Sequence, residues 1–309
     1  MTGIIGSGFG LYGHLPAIAQ VDTEPILLPQ RYKSKFDKRP ELIQFNNRII
    51  WTRNEEYILD NSNSIVLSIW PKGQLYWVEK CLIRSNIRYL LLEKPIAISP
   101  QLSHALLTEL INSKVIFRVA YSFIYTKWFD EIDEILRNEK VRSIKIKWNF
   151  LAHHYKLNLT NWKRYKSLGG SVIRFYGIQI LAFISFFGFT KAVKSKTVGS
   201  NEDDSSKWEA HFQDAHRKKC EIWIDSKSSV NEFNIELSCY TNESKIIKLN
   251  DPFSDIENGL SSLDPRVEII KKIYHSLKYN INDDKYYKLY QDTNDLWNKI
   301  ESINKHSYN

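Results

Sequence analysis

Cysteine is scarce in these 309 residues, and the three present, Cys81, Cys220 and Cys239, stand far apart. They show no metal-type spacing and read as reduced packing residues of a cytoplasmic protein. His153 and His154 adjoin each other, but no Cys, Asp or Glu lies nearby to complete a ligand set, so no metal is expected. Long hydrophobic runs are missing too. The most apolar stretch, Ile178 to Phe189, carries Gln179 and is too short to span a bilayer, so it reads as a buried helix. Too few residues precede the first strand to hold the apolar core of a signal peptide. There is no repeat and no low-complexity tract. The net charge is +8, yet no nucleic-acid-binding signature accompanies it. The densest basic clusters, KRYK at 163–166 and RKK at 217–219, read as solvated faces or as an attraction for a phosphorylated ligand. Membranes and nucleic acids are therefore not the expected partners; a small molecule is.

What is present is concentrated at the N-terminus. Ile4 and Ile5 close a short apolar strand, Gly6, Ser7, Gly8, Phe9 and Gly10 crowd a turn, and helical residues follow from Leu11. Such a strand, turn and helix suit a pyrophosphate: Gly6 permits the tight turn, Gly8 has no Cβ to block the phosphates, and the helix start offers N–H groups to an anion. The plain alternative is that the glycines only pack helix on strand. The fingerprint wants a small residue where Leu11 stands, so either the helix lies slightly off the strand or Gly10 takes that role.

Strands and helices alternate from Thr2 to Tyr121. Glu24 to Leu28 is the second strand and Arg48 to Trp51 the third. Asn54 to Asp60 is a short helix. Ser64 to Trp70 (SIVLSIW) is a buried strand stopped by Pro71, and a helix runs from Gly73 to Arg84. Ile87 to Leu92 is the fifth strand, ending in Glu93, Lys94 and Pro95. Pro100 to Ser113 is helical, and Val115 to Tyr121 is the sixth strand. This is a doubly wound parallel sheet of Rossmann type, with ligands expected at the strand C-termini. No acidic residue lies between Glu24 and Asp37 to grip ribose hydroxyls; the segment reads PQRYKSKF. Arg31 and Lys33 either hold a 2′-phosphate, favouring NADP over NAD, or belong to an ordinary basic loop.

After Tyr121 the pattern changes. Trp128 to Asn138 is an amphipathic helix, and Val141 to Phe150 alternates strictly as a half-exposed strand. A loop and the buried helix follow. Ala192 to Val198, Trp208 to Gln213, Lys219 to Asp225, Asn231 to Cys239 and Ile246 to Leu249 are further strands. Asp264 to Asn280 and Asp283 to Asn304 are helices, the first announced by Asp264 and Pro265. Two domains are expected: residues 1–121 binding a dinucleotide, and residues 122–309 as an α+β domain with an open, mostly antiparallel sheet.

Three landmarks occur in order: GSGFG, EKP after the fifth strand, and Trp162 followed by the Gly169–Gly170 pair ahead of the buried helix. Together they resemble the glucose-fructose oxidoreductase, inositol dehydrogenase and rhizopine-catabolism family (Gfo/Idh/MocA) over almost the whole chain. The resemblance implies hydride transfer between NAD or NADP and a secondary hydroxyl or ketone of a sugar or nucleotide sugar. It also implies homo-oligomers, dimers or tetramers, through the exposed face of the second sheet. Lys94 would lie near nicotinamide and substrate and hold the oxygen charge or relay its proton; the plain alternative is a strand-end lysine in solvent. Glu93 would meet the ribose or orient Lys94. Trp70, Pro71 and Gln74, after the fourth strand, are placed at the cofactor.

The buried helix departs from the family pattern GG-x(4)-D-x-G-x-H. Phe175 stands at the Asp position and Gln179 at the His position, and Gln179 takes no proton at neutral pH. Three accounts remain open. Tyr176 supplies a phenol with its pKa lowered by Lys94; or Lys94 acts alone with Gln179 positioning substrate; or the chain is a non-catalytic nucleotide- or sugar-binding member acting as a partner or sensor. Trp162 and Arg164 would line the sugar site. Arg174 binds a phosphate or carboxylate, or forms a helix-capping salt bridge. Tyr121 and Tyr125 touch the nicotinamide or pack in the core.

Overall fold

The structure is a computed structural model that describes residues 1–241, 243–254, 262–279 and 283–308. By contacts the chain forms two compact units that are not consecutive segments. The first holds Met1–Ala97, Ala105–Tyr125 and the described part of Ile256–Tyr287. The second holds Ile98–His104, the described part of Thr126–Asp255, and Lys288–Asn309 as far as residue 308.

The first unit is built on six strands: β1 (Thr2–Ile5), β2 (Ile26–Pro29), β3 (Ile49–Thr52), β4 (Ser64–Leu67), β5 (Tyr89–Leu92) and β6 (Ile116–Val119). They pair in parallel in the order β3-β2-β1-β4-β5-β6. That is the doubly wound order, whose crevice opens at the C-terminal ends beside β1 and β4. Every residue of β1, β2 and β4 is buried, as continuous apolar strands covered on both faces must be. Helix Arg266–Tyr279 belongs to this unit. Its Tyr274 is fully buried, with its hydroxyl 2.6 Å from Thr2 Oγ1 and 3.1 Å from Asp22 Oδ2. Asp264 starts the helix by accepting the Arg266 N–H at 3.0 Å. The expected end of this helix, Asn280, lies outside the described residues.

The second unit carries a seven-stranded sheet: β7 (Val141–Leu151), β8 (Phe189–Gly199), β9 (Ser205–Asp214), β10 (Lys219–Asp225), β11 (Lys227–Cys239), β12 (Ser244–Leu249) and β13 (Asn304–Tyr308). Its order is β12-β11-β7-β10-β9-β8-β13, antiparallel except for the β7–β10 and β8–β13 pairs. Ile144, Ile146 and Trp148 alternate with half-buried or exposed neighbours, and Ile222 and Ile224 continue the same inner face. Helix Ile178–Phe186 lies in this unit with every residue from Ile178 to Ser185 buried. No described helix is long and apolar enough to cross a membrane.

β13 corrects the expectation of a helix continuing to Asn304. The helix stops at Ser302, and Asn304 accepts from Ser195 Oγ at 2.7 Å while donating to Thr197 Oγ1 at 2.9 Å. Those contacts come from β8, a distant stretch of sequence, so helical periodicity gave no warning of them.

Candidate functional site

The glycine turn leaves β1 as expected. Gly6 has φ +143°, and a Cβ there would come within 2.0 Å of the Ser68 carbonyl oxygen. Only glycine fits both constraints. The Leu11 question is answered by Gly10, whose added Cβ would meet Ile4 Cγ2 at 3.2 Å, while Leu11 itself is fully buried. The next turn, Gly10–His14, is a wide π-helical turn before the α-helix Leu15–Val21. Around Gly8 there is open space: a Cβ would meet nothing within 4 Å. A diphosphate therefore has room where the glycines leave it.

The basic segment after β2 folds into two short helical turns, Gln30–Tyr32 and Lys33–Phe36. Arg31 is ion-paired with Glu55, and Lys33 lies 3.1 Å from Asp37. Lys35, unremarked in the sequence, donates to Ser7 Oγ at 2.8 Å and so stands at the glycine turn. Tyr32 was missed as well; its hydroxyl accepts the Gly6 N–H at 3.2 Å. One alternation signal was available, since a helical spacing after β2 places Arg31 and Lys35 on one face.

At the end of β5 the Lys94–Pro95 peptide is cis. Glu93 Oε1 lies 2.8 Å from Nε2 of His14, a histidine with no exposed surface. Burial works to raise the Glu93 carboxyl, but the His14 hydrogen bond and charge, with Lys94 and Arg266, outweigh it and hold the group below its ordinary range. Gln74 is also fully buried, and its amide donates to the carbonyls of Glu93 at 2.9 Å and Pro95 at 2.8 Å. Arg266 stacks over the Phe9 ring at 4.3 Å. Trp70 is exposed, with the Lys72 ammonium 5.9 Å from its ring, and Pro71 opens the following helix. Tyr121 is buried, and Tyr125 OH lies 3.3 Å from Ser276 Oγ.

In the second unit the buried helix also begins with a π-helical turn, Val172–Gly177. Gly177 lets it pass close to the sheet: a Cβ there would lie 2.8 Å from the Trp208 ring. Tyr176 and Phe175 are half-buried and belong to a chain of rings. Phe175 meets Trp162 edge-on at 5.3 Å, and Tyr176 meets Phe150 at 4.7 Å and stacks with His154 at 6.2 Å. Burial pushes the Tyr176 phenol up, so it is a proton donor at neutral pH and not a phenolate. Gln179 is buried on the next turn. Arg164 binds Asp204 Oδ2 through Nη2 at 2.5 Å, and Tyr155 OH donates to Asp204 Oδ1 at 2.7 Å. Arg174 makes a two-pronged ion pair with Glu301, both bonds 2.7 Å, and donates to the carbonyls of Ile98 and Lys166. Of its two expected roles, the structure shows the salt bridge. Among the described residues no group of three potential metal ligands occurs.

His154 gives this ring cluster a pH signature. Burial first, then the charges of Lys163 and Arg164, lower its pKa from 6.5 to about 4, against the pull of Asp204. The unfolded chain therefore binds a proton between those values that the folded chain does not. Stability is full above pH 6.5 and falls as the pH drops towards about 4. In His154→Phe the melting temperature will lose this part of its pH dependence; an unchanged pH slope would count against the assignment.

No family model matches the chain, and no curated protein matches it either. Solved structures do. KijD10, a 3-ketoreductase from Actinomadura kijaniata solved with NADP and TDP-benzene, superposes with a TM-score of 0.73 at 10% identity, covering 100% of this chain and 98% of that one. GenD2 from gentamicin A biosynthesis, solved with NAD, gives 0.73 at 13% identity over 97% and 93% of the two chains. An oxidoreductase from Thermotoga maritima gives 0.69 at 15% identity over 96% and 93%. The parallel six-stranded sheet with its glycine turn and the seven-stranded sheet of this chain are thus the fold of solved NAD- and NADP-bound oxidoreductases.

Proposed function

We propose that the chain is an NAD(P)-dependent oxidoreductase acting on a secondary hydroxyl or ketone of a sugar or nucleotide sugar. One observation carries the reading: the 2.8 Å bond between His14 and Glu93 ties the helix after the glycine turn to the residue before Lys94. The diphosphate site and the lysine thus share one edge of one sheet. The neighbours solved with NADP and with NAD, and the one solved with TDP-benzene, support the cofactor and the substrate class. A nicotinamide bound there would supply or accept the hydride. Ser7, Gly8, Phe9 and the start of the helix would hold its diphosphate, and Glu93 and Trp70 flank its expected path. Lys94 steadies negative charge on the substrate oxygen. Tyr176, protonated at neutral pH, is the proton donor in the reducing direction, and Gln179 orients substrate by hydrogen bonds. KijD10 has also been solved with a lysine replaced and with a tyrosine replaced, the two side-chain types invoked here.

NADPH titration followed by intrinsic fluorescence, then turnover across keto-sugars and nucleotide-linked keto-sugars, tests the proposal. Binding with turnover supports it. Binding without turnover on any of them favours the non-catalytic reading, and binding of neither NADPH nor NADH removes the oxidoreductase. Lys35 and Ser7 are the candidates for a 2′-phosphate, since Glu55 already neutralises Arg31. Lys35→Ala will weaken NADPH by about tenfold or more, the worth of one charge-assisted hydrogen bond, and NADH hardly at all. Equal loss for both would place the phosphate elsewhere.

A further inference from the structure

We infer that Gln74 and His14 are the positioning residues of Lys94, a clamp with Gln74 holding the backbone on either side of it and His14 holding the side chain of the residue before it. The inference rests on Lys94 being the group that meets the substrate oxygen beside the cofactor.

Gln74 spends both hydrogens of its amide on the carbonyls either side of Lys94, Glu93 O at 2.9 Å and Pro95 O at 2.8 Å. Both neighbours are acceptors, so the amide orientation is fixed by chemistry. His14 fixes the adjoining side chain at 2.8 Å from Glu93 Oε1. A carboxylate only accepts, so Nε2 carries the proton. The two holders come from different elements, Gln74 from helix Pro71–Leu82 after β4 and His14 from the turn after β1. Neither residue has any exposed surface. Each leaves one buried polar atom without a hydrogen-bond partner, Gln74 Oε1 and His14 Nδ1. An apolar side chain at either position would leave the Glu93 and Pro95 carbonyls, or the Glu93 carboxylate, without their donor, so the pair also supports the local fold. What the polar pair provides is a fixed Cα for Lys94, and a displacement of about 1 Å at a reacting group costs on the order of a hundredfold in rate.

The sequence placed Gln74 against the cofactor. Its donors are committed to the chain, so its effect on the reaction passes through Lys94.

The test reads Lys94 directly. Wild type, Gln74→Met, Gln74→His and His14→Leu are treated with trinitrobenzenesulfonate, with and without saturating NADPH. Labelling of the Lys94 peptide is followed by mass spectrometry, with NADPH affinity and melting temperature measured beside it. In wild type NADPH slows labelling about tenfold or more, because a fixed ammonium is shielded. In Gln74→Met the protection falls below about threefold while NADPH affinity stays within about threefold, because the presentation of Lys94 and not the cofactor site is altered. Gln74→His, which restores one N–H donor, recovers part of the protection. Should Gln74→Met fail to fold, His14→Leu and Gln74→His carry the same comparison. A variant that only melts earlier and keeps full protection overturns the clamp. A wild type that binds NADPH without protecting Lys94 overturns the Lys94 assignment, and the clamp with it.

Discussion

Lys94→Met will bind NADPH as wild type does and turn over about a thousandfold more slowly, the loss seen when one stabiliser of a developing oxyanion is removed. The reasoning is electrostatic. As hydride leaves a secondary alcohol, or arrives at a ketone, charge gathers on one oxygen. A preorganised cation beside it acts in the transition state far more than in the ground state, so kcat falls and the KM for NADPH stays. Lys94 sits at the end of β5, with its flanking carbonyls held by Gln74 and its neighbouring carboxylate held by His14. Methionine keeps most of the length and loses the charge, and the melting temperature measured beside the rate separates folding from chemistry. A variant retaining more than about a tenth of the wild-type rate would remove Lys94 from the chemistry, because so small a loss is no more than that of one modest hydrogen bond.

Gly6→Ala and Gly8→Ala will fail in different ways, and the contrast locates the diphosphate. At Gly6 a methyl group would lie 2.0 Å from Ser68 O on a backbone at φ +143°. Strain of about 1–3 kcal/mol from the dihedral alone adds to a clash with main chain, which cannot rotate away. Urea unfolding will show a loss of several kcal/mol, large beside a typical total stability of 5–15 kcal/mol. At Gly8 a methyl group meets nothing within 4 Å, so Gly8→Ala will be as stable as wild type without ligand. Its methyl instead occupies the room the phosphates need, and NADPH affinity will drop by about tenfold or more. Undiminished affinity in Gly8→Ala would mean the diphosphate lies elsewhere.

The parallel sheet was legible because its strands are continuous apolar runs punctuated by Pro29, Pro71 and Pro95. The second sheet was legible from alternation, Val141 onward most plainly, where period two separates buried from exposed residues. The glycine turn and EKP were visible as motifs. What sequence concealed is pairing at a distance. Arg31 and Lys33 read as either a phosphate grip or an ordinary basic loop; the sequence did not show that Glu55 on a later helix pairs with Arg31, or that Lys35 reaches Ser7 because the segment coils into helical turns. Gln74 looked like a ligand contact, but the carbonyls it holds belong to the next βα connection. In one of the three accounts open from sequence the Tyr176 phenol is lowered by Lys94; burial raises it. Each of these turns on which polar atom finds which partner, and periodicity carries no information about that.

Helix Arg266–Tyr279 has a consequence for how the chain comes into being. The first unit is finished by Tyr274 reaching back to Thr2 and Asp22. At about 5–20 residues per second, β6 leaves the ribosome roughly ten to thirty seconds before that tyrosine does. Through that interval helix Leu15–Val21, against which helix Arg266–Tyr279 packs in the finished protein, is without that cover. A fragment cut after the sixth strand would remain in that unfinished condition.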